Sequence, residues 1–146
     1  MKNRILKTFA TASVMLMLAS ATIKAQSGSK LEINIPFDFT AGTARLKAGI
    51  YKVKRMSDRT LAIQKTDETR TALLNTPLNL GARDSEPGRH MVFNKYGDQY
   101  FLAQVWLDVD NGRQLFTTKA EEKAAREFRL AKGAPAVDRV AINFRN

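Results

Sequence analysis

The stretch NKYGDQYFLAQVWLDVDNG, Asn94–Gly112, decides the fold. It holds two of the three tyrosines, the only tryptophan and two turn signals. Gly97-Asp98 suits a two-residue hairpin turn, with glycine supplying the positive φ, and Asn111-Gly112 is a second hairpin signal. Between them QYFLAQVWL alternates with Tyr100, Leu102 and Trp106 on one face and Phe101, Ala103, Val105 and Leu107 on the other. A strand apolar on both faces is central in its sheet, or has its second face covered. The aromatic density therefore reads as core, with Trp106 as its anchor. A platform that stacks bases or sugars needs basic residues around exposed rings. Lys95 is adjacent, but the run from Gln99 to Leu107 carries no charge. Tyr96, beside the first turn, is the ring whose hydroxyl is expected to show, and it is the first functional candidate.

Working outward, strands are expected wherever alternation recurs. LEINI places Leu31, Ile33 and Ile35 on one face, and Pro36 interrupts it before Phe37 and Phe39 continue the alternation. Gly42 and Gly49 bracket TARLKA, which reads as a turn or short connection. IYKVKRM, TLAIQK and TRTALLNT follow as strands separated by the polar turns Ser57-Asp58-Arg59 and Thr66-Asp67-Glu68. From Pro77 to Arg89 the pattern disappears, and this segment reads as the longest loop. HMVFNKY enters the Gly97 hairpin, RQLFTT follows Asn111-Gly112, and VDRVAINF supplies a last strand.

The period changes to 3.6 at Thr118, which with Glu121 forms a capping box ahead of KAEEKAAREFRLAK. Ala120, Ala124, Phe128 and Ala131 form its thin apolar line, and Gly133-Ala134-Pro135 stops it. The fold class expected is mainly β: a small antiparallel barrel or two-sheet sandwich of seven or eight strands, with one helix from the C-terminal half packed on it. No βαβ rhythm supports a dinucleotide fold.

Residues 1–25 read as a signal peptide: Lys2, Arg4 and Lys7 precede an uncharged run from Thr8 to Ile23, with cleavage expected after Ala25. That run falls short of the roughly 20 residues that cross a bilayer, and no cysteine follows it to carry a lipid. Residues 26–30 read as a flexible lead-in and 31–146 as a single β-rich domain without a transmembrane segment. The expected location is secreted or periplasmic. Four basic residues leave with the signal, so the formal charge of +10 becomes +6, ordinary for a soluble domain and no nucleic-acid signature. The absence of cysteine excludes disulfides, thiolate chemistry and thiolate metal sites.

Candidates for chemistry are few. His90 is the only histidine; it follows Arg89 beside the long loop and, with Asp38 or Asp84, could serve a cofactor-free hydrolase. There is no GxSxG elbow, and Ser85 reads as a loop serine. DVDNG, Asp108–Gly112, fails the calcium-loop test, because glycine arrives fifth and Lys119 stands twelfth. One histidine and no cysteine make a zinc site unsupported. Asp38, between Phe37 and Phe39, is expected to be partly buried or to cap the turn after Pro36.

The motifs IPFDF, LKAGIY, VFNKYGDQYFLAQVW and TKAEE together resemble a family of short uncharacterised secreted proteins abundant as paralogues in acidobacteria. The matching positions include Pro36, Phe37, Phe39, Gly42, Leu46, Gly49 and Tyr51, then Phe93, Tyr96, Gly97, Tyr100, Phe101, Leu102 and Trp106, then Lys119 and Glu121. The resemblance implies export and one small β-rich domain, and it implies no activity, cofactor or catalytic residue.

The leading expectation is a non-enzymatic exported domain with a structural, protein-interaction or small-ligand-binding role. It uses no cofactor, and its partner is a protein or a small apolar ligand of the cell envelope. The Pro77–Arg89 loop is the expected binding surface. An envelope carrier holding a lipid or pigment between Tyr51, Phe93 and Trp106 is the other binding alternative, and His90 hydrolysis the catalytic one. Tyr96, His90, Asp38 and Arg89 are the residues singled out.

Overall fold

A computed structural model describes residues 31–81, 88–133 and 137–145. Residues 1–25, where a signal peptide is expected, and Asp84 and Ser85 lie outside the described residues. Among those described, eleven strands and one helix form. The strands are β1 (Leu31–Ile35), β2 (Phe39–Ala41), β3 (Ala44–Leu46), β4 (Gly49–Ser57), β5 (Thr60–Lys65), β6 (Thr71–Asn75), β7 (Leu78–Leu80), β8 (His90–Tyr96), β9 (Gln99–Asp108), β10 (Asn111–Gln114) and β11 (Asp138–Asn143). The helix α1 is Lys119–Lys132. The three strands that sequence periodicity missed, β2, β3 and β7, are each three residues long, too short to show alternation.

Two sheets result. The first runs β1-β4-β5-β6, and the second runs β11-β8-β9-β10-β7 with β2 attached to β9 and β3 paired to β2. The barrel expectation is overturned, because neither sheet closes on itself. The chain leaves the first sheet at Thr76-Pro77, between β6 and β7, where proline has no N–H to continue a ladder. At the opposite corner a single bridge, Glu32 to Arg145, joins β1 to the segment after β11. One bridge is not a ladder. The sheets are also not wholly antiparallel, since β2 meets β9 in parallel at Thr40 and Phe101.

The two sheets share one core. Ile33, Ile35, Tyr51, Val53, Leu61, Ile63 and Leu74 face it from the first sheet, and Phe39, Met91, Phe93, Leu102, Val105 and Leu107 from the second. Phe39 touches both Tyr51 and Phe93 edge-on, with ring centroids 5.4 Å apart in each case. Each such side chain contributes about 1.5–3 kcal/mol by leaving water.

Trp106 does not belong to this core. A bulge in the β8–β9 ladder pairs Val92 with Gln104 but Phe93 with Leu102, leaving Ala103 over. The extra residue reverses the facing of everything beyond it. Leu102, Val105 and Leu107 therefore point into the core, while Phe101, Gln104 and Trp106 take the opposite face of the sheet. There Trp106 is fully buried, stacks on His90 at 5.7 Å and donates from Nε1 to Gln104 Oε1. The second hairpin differs too. Val109 and Asp110 make its turn, and Asn111-Gly112 lies inside β10. Gly112 sits opposite Trp106, where a Cβ would lie 2.5 Å from the indole. Gly97, by contrast, makes the expected turn with φ of 61°.

The helix packs on that same outer face. Thr118 caps it, its hydroxyl accepting from Glu121 N. Its sheet-facing residues are Glu121, Ala124, Ala125 and Phe128, against Tyr96 and Phe101. Ala120 and Ala131, expected on the apolar line, are exposed. The line is rotated because Glu121 turns its carboxylate to the sheet instead of back to the cap.

Candidate functional site

The outer face of the four-stranded sheet carries a cleft among the described residues. Alternation along β4 sends Tyr51 and Val53 inward and Lys52, Lys54 and Met56 outward. The register then aligns Lys54, Ala62 and Leu73 in one cross-strand row, and Lys52, Gln64 and Thr71 in the next. A small residue flanked by long ones on a twisted sheet leaves a trough. Ala62 is its floor, only 8% exposed, while Leu73 and Met56 stand 67% and 56% exposed at its sides. The trough has a volume of about 390 Å³, within the range of sites that hold small molecules, roughly 300–1,000 Å³. Lys52 reaches Glu32 at 3.5 Å on one flank, and Lys54 makes no ion pair among the described residues. No acidic residue lines the trough.

The residues singled out from sequence lie elsewhere and do not converge. His90, first in β8, is 1% exposed, its Nδ1 lies 2.9 Å from Gly88 O and its ring stacks on Trp106. Arg89 is exposed, and its carbonyl accepts from Phe144 N, which ties β8 to the end of β11. Asp38 is exposed, not partly buried. Phe37 and Phe39 face inward around it, so the intervening side chain points to solvent. It accepts from Lys47 Nζ at 2.8 Å and from Ala48 N at 2.9 Å, and so caps the turn between β3 and β4. The Lys47 hydrogen bond, then the Ala48 N–H, hold its pKa below the ordinary carboxylate value. With Asp98 and Tyr100 it borders a cleft of about 50 Å³, room for a few waters.

Tyr96 is buried under α1, contrary to the expectation of a displayed hydroxyl. Its OH donates to Glu121 Oε1 at 3.4 Å, and Asn94 Nδ2 donates to the same oxygen at 2.7 Å. Burial, reinforced by the Glu121 carboxylate, pushes the phenol pKa up. The trio is a latch that seats the helix, because a buried carboxylate is tolerated only when hydrogen-bonded. Tyr51 and Phe93 are bridged by Phe39, and Trp106 lies on the other face of the sheet from Phe93. Those three side chains line no common space.

The Pro77–Arg89 segment contains β7, paired to β10, and residues 82–87 lie outside the described residues. Among the described residues, no group of His, Asp and Glu side chains could hold a metal ion, and no helix is long and apolar enough to cross a membrane. In comparisons with known proteins, no family model, no curated protein and no solved structure matches this chain.

Proposed function

We propose that this chain is an exported binding domain whose ligand is a small amphiphile, apolar along its body and negatively charged at one end. The observation that carries the reading is the trough on the first sheet. Ala62, Met56 and Leu73 offer apolar contact, and beside them stand Lys54, which makes no ion pair among the described residues, and Lys52, which is shared with Glu32 at 3.5 Å. An open trough of this kind holds a ligand against the sheet surface, so the packed interior need not open. A medium-chain fatty acid has the matching chemistry: methylenes for the floor and a carboxylate for the lysines.

Isothermal titration with laurate, and with dodecanol as the uncharged control, tests the reading. Laurate should bind saturably at one site per chain and dodecanol more weakly. Lys54→Glu should weaken laurate about tenfold by replacing attraction with repulsion, and Leu73→Ser should weaken both ligands. Saturable binding that neither substitution alters would place the site elsewhere and overturn the reading.

A further inference from the structure

The edges of the two sheets are not equally protected. An unpaired strand edge is a template for another strand, and proteins blunt such edges with charge, proline, bulges or brevity. Strand β1 carries Glu32 and is bridged by Arg145; β11 carries Asp138 and Arg139; β7 and β3 are three residues long. Strand β6, TALLN, has none of these devices. Its ladder with β5 runs from Gln64–Thr71 to Thr60–Asn75 without a bulge, and no other strand pairs with it.

Which backbone groups face outward follows from one bond. Thr76 N donates to Arg59 O at 2.8 Å, so in this antiparallel ladder the residues bonded to β5 are 76, 74 and 72. The N–H and C=O groups of Thr71, Leu73 and Asn75 therefore point off the sheet, and among the described residues nothing accepts from or donates to them. The same three side chains are exposed.

We propose that β6 pairs antiparallel with β6 of a second copy of this chain, about a two-fold axis through Leu73. That register sets Leu73 against Leu73, Thr71 against Asn75 and Asn75 against Thr71, and every outward N–H and C=O of the strand finds a partner. It also sets Arg70 against Thr76, so no like charges meet. The two copies form one continuous eight-stranded sheet. Because Thr71 and Leu73 also border the trough, its open side becomes common to both copies, with the two exposed leucines packed together at the seam. A second copy fits better than an unrelated strand because the register is its own complement, both in hydrogen bonding and in the leucine contact.

Sedimentation velocity on the purified protein without ligand, up to about 1 mM, should show a monomer–dimer equilibrium. Leu73→Lys, at an exposed side chain, should leave the melting profile intact and abolish the dimer by opposing two ammonium groups at the axis. Leu73→Pro removes an N–H that the monomer does not use and should do the same. Register is read separately, since the chain has no cysteine of its own. With a short bis-maleimide, a mixture of Thr71→Cys and Asn75→Cys proteins should cross-link, and either protein alone should not, because like positions lie about 14 Å apart along the strands. A monomer at every concentration, a dimer that survives Leu73→Lys, or equal cross-linking in all three samples would overturn the proposal.

Discussion

Gly112→Ala should destabilise the protein through one contact. Gly112 faces Trp106 across the β9–β10 ladder, and a methyl there would lie 2.5–2.6 Å from three atoms of the indole. The ring cannot yield freely, because it is fully buried, stacked on His90 and hydrogen-bonded to Gln104. Forcing one carbon into such a site costs about 1–3 kcal/mol. Alanine returns roughly 0.5–1 kcal/mol of that, because it loses less backbone freedom on folding than glycine does. The net loss should be up to about 2.5 kcal/mol, a fall in Tm of up to roughly 15 °C for a domain of this size. Thermal melts followed by circular dichroism measure it. The emission of Trp106, the only tryptophan, reports the displaced ring in the same sample. A variant as stable as the parent, with unchanged emission, would refute the packing argument and with it the placement of Trp106 on the outer face.

Glu121→Ala should leave Asn94 Nδ2 and the Tyr96 hydroxyl buried without their acceptor, costing about 1–3 kcal/mol. Faster amide exchange in α1 than in β8 would localise that loss to the helix seat. Tyr51, pushed up to about 12 chiefly by burial, should resist ionisation in a spectrophotometric titration that has its midpoint near 10 in denatured protein. Because the folded state holds that proton more tightly, its contribution is intact below pH 10 and disappears between about 10 and 12. Asp38 has the opposite sign: its depressed pKa adds stability above the unfolded value of about 3.8, and that is lost as pH falls through the folded value. Asp38→Asn should therefore flatten the acid limb of a stability–pH profile.

Much of the strand layout was legible because alternation is local. LEINI, TLAIQK, HMVFNKY and QYFLAQVWL each announce a strand, and Gly97 announces its turn. Facing beyond Ala103 was not legible, because a bulge is set by the partner strand and leaves no mark on the alternation itself. That one residue moved Trp106 from the shared core to the outer layer. Glu121 illustrates a second limit. Its place three residues after Thr118 predicts a cap, and the cap forms, but the carboxylate is taken by Asn94, 27 positions away. The trough was hidden for the same reason. Lys54, Ala62 and Leu73 are unremarkable in sequence and meet only through the β4-β5-β6 register. The single histidine and the Pro77–Arg89 segment are rare features of the sequence, whereas ordinary residues brought into one row line the trough.

The most direct test of the binding account is a titration of isotope-labelled protein with laurate, followed by amide chemical shifts. The account predicts saturable shifts concentrated at Lys54, Ala62, Gln64, Thr71 and Leu73, with His90, Tyr96 and Phe93 unmoved. Shifts centred on Phe93 and Tyr51, or on the His90 end of β8, or none at all, would contradict it.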